Sequence, residues 1–175
     1  PSRKIKSHPY SGEKCLVNRW GDASMGIGLG EVMNVEGVWI ASQGGEGAWA
    51  ESVRVLGYSG EEEVGATEWF EEINSTPSYM PIGLNDVDRI VFEAMAGPSG
   101  SAFYALDDLQ LRRANGQVQV LDFEDVRWDQ CLTGTGFGGL TWEVGTGEFR
   151  IPRPAIVPAP KEGTLPPALA VDPTL

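Results

Sequence analysis

A chain of 175 residues, 41% of them apolar, can bury one domain-sized core and is too apolar for wholesale disorder. Its formal charge of −12 sets it against nucleic acid and anionic lipid, whose phosphates it would repel, and suits a solvated surface that attracts cations. No run approaches the ~20 apolar residues of a membrane-spanning helix, and the opening PSRKIKSHPY lacks the apolar centre of a secretory leader, as a mature or excised domain would.

From Glu13 to Leu111, short apolar runs alternate with turn chemistry. KCLVN ends at RWGD, MGIGLGEVM is spaced by glycines, and VEGVWIAS runs into QGGEG. AWAESVRVLGY stops at SGEEE, a hairpin-like turn. VGATEWFEEI stops at NSTPS, DRIVFEAM at AGPSG and FYALDDLQL at RANG. Units recurring every ~10–15 residues predict an all-β sandwich or barrel. In DRIVFEAM, Ile90, Phe92 and Ala94 are expected on one face and Val91, Glu93 and Met95 on the other. No window favours a helix; EWFEEI could complete one turn before Pro77. QVQVLDFEDV and GGLTWEV add two further strands after Gly116. Residues 1–150 are therefore expected to form the sandwich. Residues 151–175 hold seven of the chain's twelve prolines and are expected as an extended tail, either a linker or a strap on a neighbour.

Few motifs carry chemistry. GTGFGG satisfies G-x-G-x-x-G, but the strand LTWEV follows where a dinucleotide site needs a helix, so these are turn glycines. His8 is the only histidine, which leaves no zinc spacing and no marked nucleophile. Asn74-Ser75-Thr76 is a glycosylation sequon weakened by Pro77. Acids inside apolar strands need partners. Asp107, Asp108, Glu124 and Asp125 could converge as carboxylate ligands of a structural Ca²⁺, or else cap turns, pair with Arg112 or Arg113, or face solvent. Paired acids could also serve glycoside hydrolysis, but sequence gives no separation between them. Six tryptophans are a large aromatic inventory. Trp39 and Trp142 are expected in the core. Trp20, Trp49 and Trp128 lie near turns and, with Tyr58, are the candidate ligand-binding residues, since exposed rings stack on sugars. Cys15 and Cys131 are either two thiols or one bridge, which would stabilise the fold by roughly 4–5 kcal/mol.

Three stretches, HPYSGEKCLVNRWG, FYALDDLQL and VLDFEDV…LTGTGFGGLTWE, together resemble the bacterial carbohydrate-binding-like β-sandwich domains of exported surface proteins, which look like jelly-roll or galactose-binding modules. VRVLGYSG and FYALDDL match that pattern best, and the likeness covers most of residues 7–150. It implies a non-catalytic module, extracellular or at the cell surface, with a glycan as partner and calcium as a structural ion. The order differs. The block that usually opens such a domain, at 121–144, here follows the block that closes it, at 103–111. Either the domain is circularly permuted, with strands 118–144 completing its own sheet, or those strands complete the sheet of a neighbouring copy. The second case makes the chain a self-assembling subunit of a filament, layer or tandem array. A Cys15–Cys131 bridge would lock the junction in either case.

Overall fold

The computed structural model describes residues 8–45, 47–144 and 147–153; residues 154–175, most of the expected Pro-rich tail, lie outside the described residues. The fold is an all-β antiparallel sandwich of nine strands, without an α-helix among the described residues. In chain order they are β1 (Leu16–Asn18), β2 (Ser24–Ser42), β3 (Ser52–Ser59), β4 (Glu62–Ala66), β5 (Ser78–Met95), β6 (Tyr104–Arg113), β7 (Val118–Leu121), β8 (Thr141–Trp142) and β9 (Phe149–Arg150). They run in the order β4-β3-β5-β2-β6-β1-β9, with β7 added to β6 and β8 to β2. No described helix is long and apolar enough to cross a membrane.

Two long strands organise this path. MGIGLGEVM and VEGVWIAS are not separate strands: β2 runs through both, with register shifts between Gly28 and Met33 and again up to Gly37. Gly30, at φ 76°, supplies the left-handed backbone the break requires. Before the break β2 pairs with β8 through Ile27 and Trp142; beyond it β2 pairs with β6 through Val35 and Leu111. This exchange of partners folds one sheet over on itself. Met25, Ile27, Leu29, Met33, Val35, Val38 and Ile40 consequently enter one continuous core from both halves of the strand. Each such side chain contributes roughly 1.5–3 kcal/mol on burial. In β5, Ile90, Phe92 and Ala94 are buried and Met95 is half exposed, as the alternation predicts, whereas Val91 on the other face is buried as well. The strand also reaches back to Ser78, beyond the stretch that sequence marks.

The late strands pair within their own chain. Val118–Leu121 pairs with Leu109–Arg112 of β6, and Phe149 and Arg150 pair with Asn18 and Val17 of β1. Leu121, Phe123, Val126, Leu132, Leu140, Trp142, Phe149 and Ile151 join the common core. Trp142 is fully buried in an aromatic cluster with Phe123, Phe137 and Phe149, and its indole N–H donates to the Phe137 carbonyl at 3.0 Å. GTGFGG forms a turn with Gly134, Gly138 and Gly139 all at positive φ. At one end of the sheet, β4 leaves Glu62 and Glu63 exposed beside Val64.

Candidate functional site

The strand acids hold the N-terminal segment down. Asp107 is 2% exposed, and one of its oxygens accepts the backbone N–H groups of Tyr10 and Ser11, both at 2.9 Å. Its other oxygen accepts the N–H of Asp108 at 2.8 Å, and Asp108 accepts the Ser11 hydroxyl at 2.9 Å. Glu124 accepts the N–H groups of Glu13 and Lys14 at 3.0 and 2.8 Å. Gly12, at φ 56°, is required here, because a Cβ would collide with the Glu124 carboxylate. Asp125 is exposed. Asp107, Asp108 and Glu124 thus each accept hydrogen bonds from residues 10–14 or from one another, and Asp125 faces solvent. No three His, Cys, Asp or Glu side chains form a metal-holding group among the described residues. Burial pushes the Asp107 carboxyl up to about 7; the N–H bonds from Ser11, Asp108 and Tyr10 oppose this, and the Asp108 charge adds to it.

The same anchoring changes the expected fate of Trp39. It lies half-buried outside the core, directly across from Asp107 on β6 and Tyr79 on β5. Tyr10, held by Asp107, stacks on its ring at 3.5 Å between centroids and 4° between planes, and Tyr79 meets it edge-on at 5.7 Å. Trp142 is in the core as expected.

The expected Cys15–Cys131 bridge is not formed. Val17, two residues beyond Cys15, pairs with Arg150, and Arg150 bridges to Cys131 on its other side. Strand β9 thus lies between the two thiols. Two strand spacings come to about 10 Å, past the ~7 Å Cα limit of a disulfide.

The four candidate aromatic residues sit apart, with no ring contact joining them. Tyr58 is half-buried with the Arg89 guanidinium 4.9 Å from its ring centre, and Trp128 packs on the core under the Lys14 ammonium at 5.3 Å. Trp49 is half-buried beside a cavity of about 520 Å³ lined mainly by Ile73, Ala96, Gly97 and Pro98, and its N–H is spent on the Gly44 carbonyl. Glu51 is the only charged residue of that lining among the described residues.

Trp20 is different. It is 62% exposed and borders an open cleft of about 500 Å³ with Asp22, Cys131, Thr133, Val144, Gly147 and Glu148. The turn RWGD presents it. Asn18, fully buried at the end of β1, donates to the carbonyls of Asp22 and Ala102 and accepts the Tyr104 N–H. The Gly21 N–H closes the turn on the Asn18 carbonyl at 3.1 Å. On the facing side, Glu148 accepts the Trp20 indole N–H at 3.3 Å and pairs with Arg19 at 3.1 Å and Arg150 at 2.8 Å. Burial acts to raise the Glu148 carboxyl, but the bonds from Arg150, Arg19 and Trp20 prevail and hold it below the usual carboxylate range. Arg19 lies 4.4 Å from the centre of the Trp20 ring. The indole is thus fixed by two neighbours while most of its surface remains open. Val144, 78% exposed, adds an apolar surface to the same cleft. Stacking and hydrogen bonding to a small polar ligand are what this arrangement offers. The sequence places Trp20 near a turn and Asp22 in the same turn, whereas Glu148, 128 residues away, carries no signal that would join it to them. No protein-family model matches the chain, and no curated protein or solved structure matches it either.

Proposed function

We propose that this chain is a non-catalytic, extracellular β-sandwich module of carbohydrate-binding type that engages a glycan at the Trp20 cleft. The reading rests on a single observation: a largely exposed indole, bonded to Glu148 and covered on one side by Arg19, at the border of an open cleft. Pyranose rings have an apolar face that stacks on indole and hydroxyls that reach nearby acceptors, and a ring already fixed in place loses little entropy on binding. Trp49, Trp128 and Tyr58 support this less, because each is half-buried and already covered by neighbours or spent on a local bond.

Retardation in native gels cast with soluble polysaccharides tests the proposal. The wild-type chain should migrate more slowly in at least one such gel, and Trp20→Ala should restore free migration without a change in melting temperature. Equal migration of both proteins in every gel would reject it.

A further inference from the structure

An aromatic face lies open on the outer side of the sheet, away from the Trp20 cleft. Trp39, Tyr79 and Asp107 are cross-strand neighbours on β2, β5 and β6, and the N-terminal segment lays Tyr10 on Trp39. Tyr79 lies over Gly37, where any Cβ would strike its ring, and its hydroxyl donates to Gln110 Oε1 at 3.2 Å. Gln110 pairs with Val120 of β7, which is exposed like Val118 on the same strand. Tyr10, Tyr79, Val118 and Val120 are between 39% and 49% exposed. An apolar surface thus crosses four strands, about 14 Å over three strand spacings. Its charges are matched within it: Arg112 pairs with Glu36, and Asp107 and Asp108 accept from Tyr10 and Ser11. An apolar face of this kind, with its polar groups already satisfied, marks a docking surface for an uncharged partner.

The chain directs what arrives there. Strand β9 runs antiparallel to β1, from Asn18 back to Val17, so the chain leaves it heading for the end at which residues 10–14 enter β1. Arg153 pairs with Asp129 at 2.8 Å, and the adjacent Trp128 lies under the Lys14 ammonium. The exit therefore abuts the segment that carries Tyr10. Beyond it, PAIVPAPKEGTLPP, residues 154–167, holds five prolines and two charges, Lys161 and Glu162, which cancel. Proline fixes φ in advance, so such a segment loses little entropy on docking, and polyproline segments settle on aromatic surfaces. Distance permits the contact. From Lys14 to Tyr10 is at most about 14 Å, the face adds about 14 Å, and residues 154–167 reach roughly 43 Å at ~3.1 Å each. We propose that residues 154–167 dock on the Tyr10–Trp39–Tyr79 face of their own chain, which makes that face a proline-rich peptide site. The Trp20 cleft has no part in this.

Trypsin reads the contact directly, because Lys161 lies inside the segment and Pro154 blocks cleavage after Arg153. Release of residues 162–175 from the full chain, followed by mass spectrometry, should be roughly tenfold slower than from a free peptide of residues 154–175, since cleavage follows the undocked population. Tyr79→Ala and Val120→Asn should each restore most of the peptide's rate. Val120→Asn reads the same face without removing a ring, so the test stands even if Tyr79→Ala melts early. Tyr79→Phe keeps the ring and should cut like wild type, as should Val64→Asn on β4, at the far end of the sheet. Wild type cut at the peptide's rate would overturn the docking. Protection retained in both Tyr79→Ala and Val120→Asn would overturn this face as its site. Protection that rises with protein concentration would overturn docking within one chain. Retardation by polysaccharides is independent of all these outcomes, so the glycan reading stands or falls separately.

Discussion

Replacing Trp142 by alanine tests whether the late segment is part of the sandwich or a separate unit resting on it. Trp142 is fully buried, and Phe123, Phe137 and Phe149 surround it with centroids 6.2, 6.4 and 5.3 Å away. Its backbone pairs with Ile27 of β2, so the aromatic cluster and the central strand meet at this residue. Truncating a buried Trp to Ala costs about 3–5 kcal/mol, because the neighbours close only part of the cavity. That is a large share of the ~5–15 kcal/mol that holds a domain together. With an m-value of about 2 kcal/mol/M, the urea midpoint should fall by about 2 M in a single transition. Far-UV circular dichroism is the right probe, because it follows strands β2, β5 and β6 rather than the mutated ring. A midpoint unchanged within ~0.3 M, or a new early transition that spares most of the strand signal, would refute the reasoning and make the late segment an independent unit.

Two further outcomes follow from the anchored N-terminal segment. Burial holds the folded carboxyl of Asp107 at about 7 against an ordinary value of 3.8, so between those values the folded chain holds a proton that the unfolded chain has released. Stability is therefore greatest toward pH 4 and falls as pH rises to 7, by at most about 4 kcal/mol, then levels off for this group. Urea titrations from pH 4 to 8 should show that slope in wild type and not in Asp107→Asn; parallel curves would count against it. Gly12→Ala should strain the backbone at φ 56° and push the Glu124 carboxylate away, freeing residues 10–14. Limited proteolysis should then cut near Lys14 several-fold faster than in wild type, and an unchanged rate would show that these bonds do not hold the segment.

Patterns of short range were legible in the sequence and long-range placements were not. The alternation of Ile90, Phe92 and Ala94 is a property of one strand and reads directly from the chain. The break in β2 was misread because Gly28 and Gly30 look like a strand end, whereas β5 continues alongside and carries the register across it. Trp39 looked like core because its own strand is apolar; its cover, Tyr10, arrives only because Asp107 captures a backbone 97 residues away. The acid in FYALDDL needs a partner because burying a bare carboxylate is costly, and for Asp107 the backbone N–H groups of Tyr10 and Ser11 are that partner, which no local pattern in the sequence announces. At the cleft, the exposed turn and Asp22 within it were readable in RWGD, while Glu148 became a partner of Trp20 only through the pairing of β1 with β9.

Strand β4 ends the sheet with Glu62 and Glu63 pointing to solvent beside a half-exposed Val64. When two copies approach along this border, like charges meet before any ladder can form. Salt governs that guard: its reach shrinks from ~10 Å at 0.1 M to ~3 Å at 1 M ionic strength. Concentrated stocks of this protein should thus stay clear in dilute buffer and turn cloudy first in brine, with fibrous precipitate seeded from that flank.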